Sequence, residues 1–151
     1  TSQPVTFCEN YVPWLNTLKP LAAVIDFISI HTYPVWEYKH IHEAMDYTQA
    51  NHDMVAGLYP DKPVIITEAG WATNSNGRGI HPEHVNELNQ KTYYEDLMNW
   101  SEEKKILTFF FEAFDEEWKG SHDPFEPEKH WGLFRIDRSP KLAMENLVKT
   151  A

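Results

Sequence analysis

The chain has 151 residues, 42% of them hydrophobic and 14% aromatic, which is enough for one ordinary domain core and excludes both a second full core and a disordered chain. Thirteen basic against 23 acidic residues give a net charge of −10 spread along the sequence, so a nucleic-acid partner, which requires a basic face, is excluded. The single cysteine, Cys8, allows neither an internal disulfide nor a cysteine zinc site, and no stretch approaches the about 20 apolar residues of a membrane span.

The start, Thr1-Ser2-Gln3-Pro4, has neither an initiator methionine nor a signal-peptide pattern. It reads as a cut within a longer protein or just after a processed leader. Four apolar runs of strand length follow, each leading into a stretch of helical period. The first is Val5 to Glu9, with Pro13 in the first turn of a helix carrying Trp14, Leu15 and Leu18, and Pro20 ending it. The second, Val24 to Tyr33, leads through Pro34 to a helix from Lys39 to Leu58, whose buried stripe is Ile41, Ala44, Met45, Thr48, Val55 and Leu58. The third, Pro63 to Glu68, is followed by a loop and by a helix that Pro82 opens, with Val85, Leu88, Thr92, Leu97 and Trp100 facing inward as far as Lys104. The fourth is Ile106 to Phe111. A polar and aromatic loop, Asp115 to His130, then precedes a last helix from Lys141 to Val148. The sequon Asn99-Trp100-Ser101 falls within a helix and reads as chance.

Continuous apolar strands alternating with helices predict a parallel sheet covered by helices. In such folds chemistry gathers at the carboxyl ends of the strands, here occupied by Glu9, His31 and Tyr33, Glu68, and Glu112. Carboxylates collected on one edge among tryptophan and tyrosine suit glycoside chemistry, which needs one ionised and one protonated carboxyl group. Trp36, Trp71, Trp118 and Trp131 can stack on sugar faces, although packing is the commoner use of any one tryptophan. His31 is a candidate sugar hydrogen-bond donor, and so is the Tyr33 hydroxyl.

The most specific feature is Ile65-Ile66-Thr67-Glu68-Ala69-Gly70-Trp71, where a buried strand delivers a glutamate and glycine permits a sharp change of direction. Ile66 to Trp71 resembles the nucleophile motif of glycoside hydrolase family 17, the β-1,3-glucanases and β-1,3-glucanosyltransferases. Phe111 to Gly120 resembles that family's last barrel strand and loop, Glu128 to Phe134 its closing active-site wall, and Ser29 to Pro34 the preceding strand end. The resemblance implies that Glu68 is the nucleophile of a retaining double displacement. Glu112, Glu116, Lys119 and Glu128 would form a supporting polar network, with Lys119 beside Glu68 to keep it ionised. Tyr33, His31, Trp36, Trp71, Trp118 and Trp131 would line a cleft for β-glucan oligosaccharide, and no cofactor or metal is implied.

The family has a complete barrel of eight βα units, with its general acid in an Asn-Glu pair at the end of the fourth strand. No Asn-Glu follows an apolar strand here, since Asn86-Glu87 lies in a helix and Glu9-Asn10 is reversed. Counting back from Glu68 on the seventh strand makes residues 1–151 units five to eight: a (βα)4 half of a TIM barrel. Its open strand edges predict a homodimer, the fourth strand of each copy beside the first strand of the other, with a partner's Glu112 in the place of the acid. Two alternatives stand beside this reading. One is a noncatalytic half-barrel that binds glucan weakly; the other is association with a separate chain bearing the first half.

A metal reading of the histidines is weaker. His42-Glu43-Ala44-Met45-Asp46 lacks a second histidine four positions on, His40 and His42 fall on different helix faces, and His81 and His84 lack a clear third ligand.

Overall fold

The computed structural model describes residues 2–148, without the side chains of Leu147 and Val148. The expected unit over 1–151 thus runs past the described residues at both ends. Four parallel strands, β1 (Cys8–Asn10), β2 (Ile28–Thr32), β3 (Val64–Ala69) and β4 (Thr108–Phe110), form one sheet in sequential order. Between them lie α1 (Tyr11–Leu15), α2 (Lys19–Ala22), α3 (Ile41–Leu58) and α4 (Glu87–Lys104), and α5 (Glu145–Val148) follows the last loop. This is an α/β half-barrel, with strands neighbouring in sequence order as in a barrel wall.

Strand alternation explains which face is covered. Ile28 and Ile30 of β2 and Val64 and Ile66 of β3 share the helix side and are buried with Trp14, Val55, Tyr93 and Leu97. Thr32 closes that face, accepting a 2.9 Å hydrogen bond from Asn51 of α3. Phe110 of β4 packs edge-on against Tyr94 of α4, at 5.2 Å between ring centroids. The opposite face carries Ser29, His31, Ile65, Thr67 and Phe109, and Phe109 is 53% exposed.

The expected elements shift in several places. The first strand is confined to Cys8–Asn10, while Val5 is tied to Asp26 by paired contacts of 2.7 and 2.9 Å. Pro20 does not end α1. It sits in the first turn of α2, where its missing N–H costs nothing. Pro82 opens a 3-10 turn, Pro82–His84, and α4 begins only after Asn86, whose side chain accepts from the Asn89 N–H at 2.8 Å. The last helix is shorter than Lys141 to Val148, because residues 142–144 form turns.

The buried faces of the long helices are also more polar than the expected stripes. In α3, Asn51 is buried and Leu58 is exposed; in α4, Gln90, Tyr93, Leu97 and Ser101 face inward and Leu88 is exposed. Gln90 is held there because its amide donates to the carbonyl oxygens of Trp71, Trp131 and Gly132, at 2.9, 3.2 and 3.1 Å. One side chain thereby joins the loop after β3 to the loop after β4. Replacing Gln90 by leucine should cost about 2–4 kcal/mol, since buried carbonyls lose their donor, whereas Leu88→Ala should cost under about 0.5 kcal/mol; urea unfolding measures both.

Candidate active site

Register sets the first elements of the site. Asn10 of β1 pairs with His31 of β2, and His31 pairs with Glu68 of β3, so the polar residues lie side by side on the carboxyl edge. Past Glu68 the chain turns at Gly70, where a Cβ would lie 2.1 Å from the Phe111 carbonyl oxygen. Only glycine lets the loop after β3 pass this close to the end of β4.

The Tyr33 hydroxyl donates to Glu68 Oε2 at 2.7 Å, and His31 Nδ1 lies 3.4 Å from the same oxygen. Burial, then the hydrogen bond to Glu68 and the charges of Glu68, Glu128 and Glu112, push the Tyr33 phenol far above its ordinary range. Tyr33 therefore remains a hydrogen-bond donor to Glu68 throughout the neutral range. His31 Nε2 is buried without a hydrogen-bond partner.

A cavity of about 190 Å³ opens over Glu68, lined by Tyr33, Trp36, Phe111, Glu128 and Trp131. Trp131 is its floor: it is 1% exposed, with its ring 5.1 Å from Tyr33 and 6.1 Å from Trp36. Phe111 meets Tyr33 edge-on at 5.9 Å and receives the Lys119 ammonium over its face at 4.5 Å. Phe111 was not among the expected site residues. Its place just before Glu112 at the end of β4 was the available signal.

Next to this cavity Lys119 joins two carboxylates. Its Nζ lies 2.6 Å from both oxygens of Glu112 and 3.0 Å from Glu116. Burial, with Glu116 and Glu128 nearby, raises Glu112 above the usual carboxylate range although Lys119 opposes this. Glu128 is raised too, by burial first and then by Glu126 and Glu68, again against Lys119. Burial alone would lower Lys119, but its bonds to Glu112 and Glu116 leave it raised and charged.

Three expectations are corrected. Trp71 does not line the cleft; it is fully buried, donates to the His84 carbonyl at 3.0 Å and packs against Tyr93, because the turn at Gly70 carries it into the core. Trp118 is 76% exposed and lies outside the cavity lining, beside Lys119. The hydrogen bonds of Lys119 go to Glu112 and Glu116 rather than to Glu68, whose partners are Tyr33 and His31. A larger recess of about 420 Å³ at the opposite end of the strands is bounded by Pro4, Asp26, Phe27, Pro63, Ile65 and Leu107. Asp26 is the one ionisable residue in its lining, and its carboxylate is engaged by the Val5 N–H.

The fold is an α/β half-barrel of the type found in glycoside hydrolase family 17 barrels. The sequence profile of the BtgE/BtgC glycoside hydrolase domain matches residues 1–132, and the chain belongs to that family. It is 26% identical over 133 residues to a glucan 1,3-beta-glucosidase of Arthroderma benhamiae, covering 78% of this chain and 42% of the relative. An endo-laminarinase from Formosa Hel1_33_131 superposes with a TM-score of 0.82 at 26% identity, over 97% of this chain and 47% of that one. An active-site mutant of the Rhizomucor miehei β-1,3-glucanosyltransferase, solved with laminaritriose, gives 0.79 at 26% identity, over 93% and 49%. The chain thus spans less than half the length of each of these proteins.

Replacing Lys119 by methionine should raise Glu112 further above the usual carboxylate range, because the cation at both of its oxygens, which opposes burial, is removed. Carboxyl-carbon NMR titration reads this directly.

Proposed function

We propose that this chain is the nucleophile-bearing half of a retaining β-1,3-glucan-active barrel, units five to eight of the eight, with Glu68 as the nucleophile. The observation that carries the reading is the setting of Glu68: a strand-end carboxylate under an aromatic-walled cavity, with one oxygen held by Tyr33 at 2.7 Å. That bond fixes Oε2 and leaves Oε1 for attack on an anomeric carbon. Trp36 gives the cavity an apolar face on which a glucose ring stacks, and the buried Trp131 supports it from beneath.

In this reading Glu68 displaces the aglycone oxygen to form a glycosyl ester, a carboxylic acid protonates the departing oxygen, and water or a second sugar then breaks the ester. Glu112, Glu116, Lys119 and Glu128 form a charged network at the cavity's side and hold its shape. The acid has to come from outside this half, since no Asn-Glu pair ends a strand among the described residues. Glu112 of a second copy is a poor choice, because Lys119 occupies both of its oxygens within its own half.

Closure of the barrel belongs to the same reading. β1 and β4 each leave one edge unpaired, and Leu107 and Phe109 stand exposed on the uncovered side. A second copy, set with β4 of each chain beside β1 of the other, covers this surface and completes eight strands. A noncatalytic role is the second reading, and the absent acid favours it.

An activated glucosyl or laminaribiosyl fluoride separates the two readings, because fluoride leaves with little protonation and the acid's contribution of roughly 10²- to 10⁴-fold is bypassed. The wild-type chain should release fluoride and Glu68→Gln should not. A wild type without turnover would support the noncatalytic reading.

A further inference from the structure

Four histidines that lie on separate stretches of the sequence meet at one place. His40 and His42, at the start of α3, stack with ring centroids 5.5 Å apart; His40 lies 4.2 Å from His84, and His84 lies 5.4 Å from His81. His84 is buried at 7% exposure with Nδ1 unpartnered, while the other three stand exposed around it.

The cluster joins two loops, the first of which supplies Trp36 to the cavity wall. The loop from β2 to α3 carries Trp36, Tyr38 and His40, and the loop from β3 to α4 carries Gly79, His81 and His84. They touch at three points. A Cβ on Gly79 would lie 2.2 Å from the Trp36 ring, Tyr38 stacks on His81 at 5.1 Å, and His40 packs on His84. The position of Trp36 in the cavity wall therefore depends on these loops staying together. The carbonyl of His84 also anchors Trp71 and Asn89, so motion there reaches the segment just after Glu68.

The charged groups facing the cluster are few. Glu43 of α3 accepts from the His40 backbone N–H at 3.0 Å, Glu83 lies 3.8 Å from His81, and Lys39 adds a positive charge near Glu43. Two carboxylates against one lysine and four imidazoles cannot balance full protonation. Burial first, then His40 and His81, hold His84 below the ordinary histidine value, against Glu83 and Glu43. A depressed folded-state value means stability present above the unfolded value of about 6.5 and lost as pH falls towards the folded one. Among the described residues no three of His, Cys, Asp and Glu are disposed to hold a metal ion, so protons are the ligand this geometry favours.

We propose that the histidine cluster is a proton-operated latch: neutral rings pin the two loops behind Trp36, and protonated rings repel, part the loops and release that wall of the cavity. The latch acts on cavity shape and does not depend on the role assigned to Glu68.

Hydrogen exchange followed by mass spectrometry between about pH 5 and pH 7.5, corrected for intrinsic exchange, tests it on this chain. Protection of residues 34–43 and 74–86 should fall by roughly fivefold or more on acidification, while β2 and β3 stay protected. The double variant His40→Asn, His81→Asn, in which asparagine keeps the helix cap, should retain neutral-pH protection and lose the step. His52→Asn, outside the cluster, should keep it. The proposal is overturned if the wild type shows no step, if the step survives in the double variant, if His52→Asn also abolishes it, or if a chelator at neutral pH reproduces the loss of protection.

Discussion

A parallel sheet is stable when apolar layers cover both of its faces, and among the described residues the helices cover one of them. The helices bury Ile28, Ile30, Val64 and Ile66, while Phe109 on the other face and Leu107 beside it remain in solvent. The site depends on the same uncovered surface. In the proposed reading Glu68 lies at the rim of a barrel interior, and the second carboxyl group of retaining chemistry faces it across that interior. Proteins that this chain resembles are about twice its length, as a half and a whole should be.

Within the half that is present, geometry is fixed by cross-links between loops rather than by the strands alone. Gln90 spans the loops after β3 and β4, Lys141 joins Asp115 and Thr73 at 2.7 Å each, and Gly70 allows the Phe111 carbonyl to approach. These ties explain how an open four-stranded sheet can hold Tyr33, Glu68, Trp131 and Phe111 in one cavity. Rigidity of this kind suits the nucleophile role proposed for Glu68, because reactivity depends on position relative to the reacting atom.

Much of this was legible in the sequence, for a physical reason. Strands covered by helices are continuous apolar runs, and the residue at which polarity returns marks the carboxyl edge; His31, Tyr33, Glu68 and Glu112 were found that way. The helix faces were less legible. Gln90 and Asn51 are buried because partners distant in sequence satisfy their amides, and no local pattern contains that information. Trp71 was expected in the cleft because aromatic residues near a strand-end carboxylate commonly face substrate, yet the turn at Gly70 sends it into the core. The histidine cluster was less legible: helix spacing puts His40 and His42 on different faces, yet their rings stack because His40 is the cap ahead of α3, and only the fold brings them to His81 and His84.

The proposed closure of this half-barrel places a second copy against its open face. Light scattering at micromolar concentration measures this most directly. Closure by a second copy gives a mass of twice the chain; a strictly monomeric mass across that range, with the apolar face left in water, would contradict it.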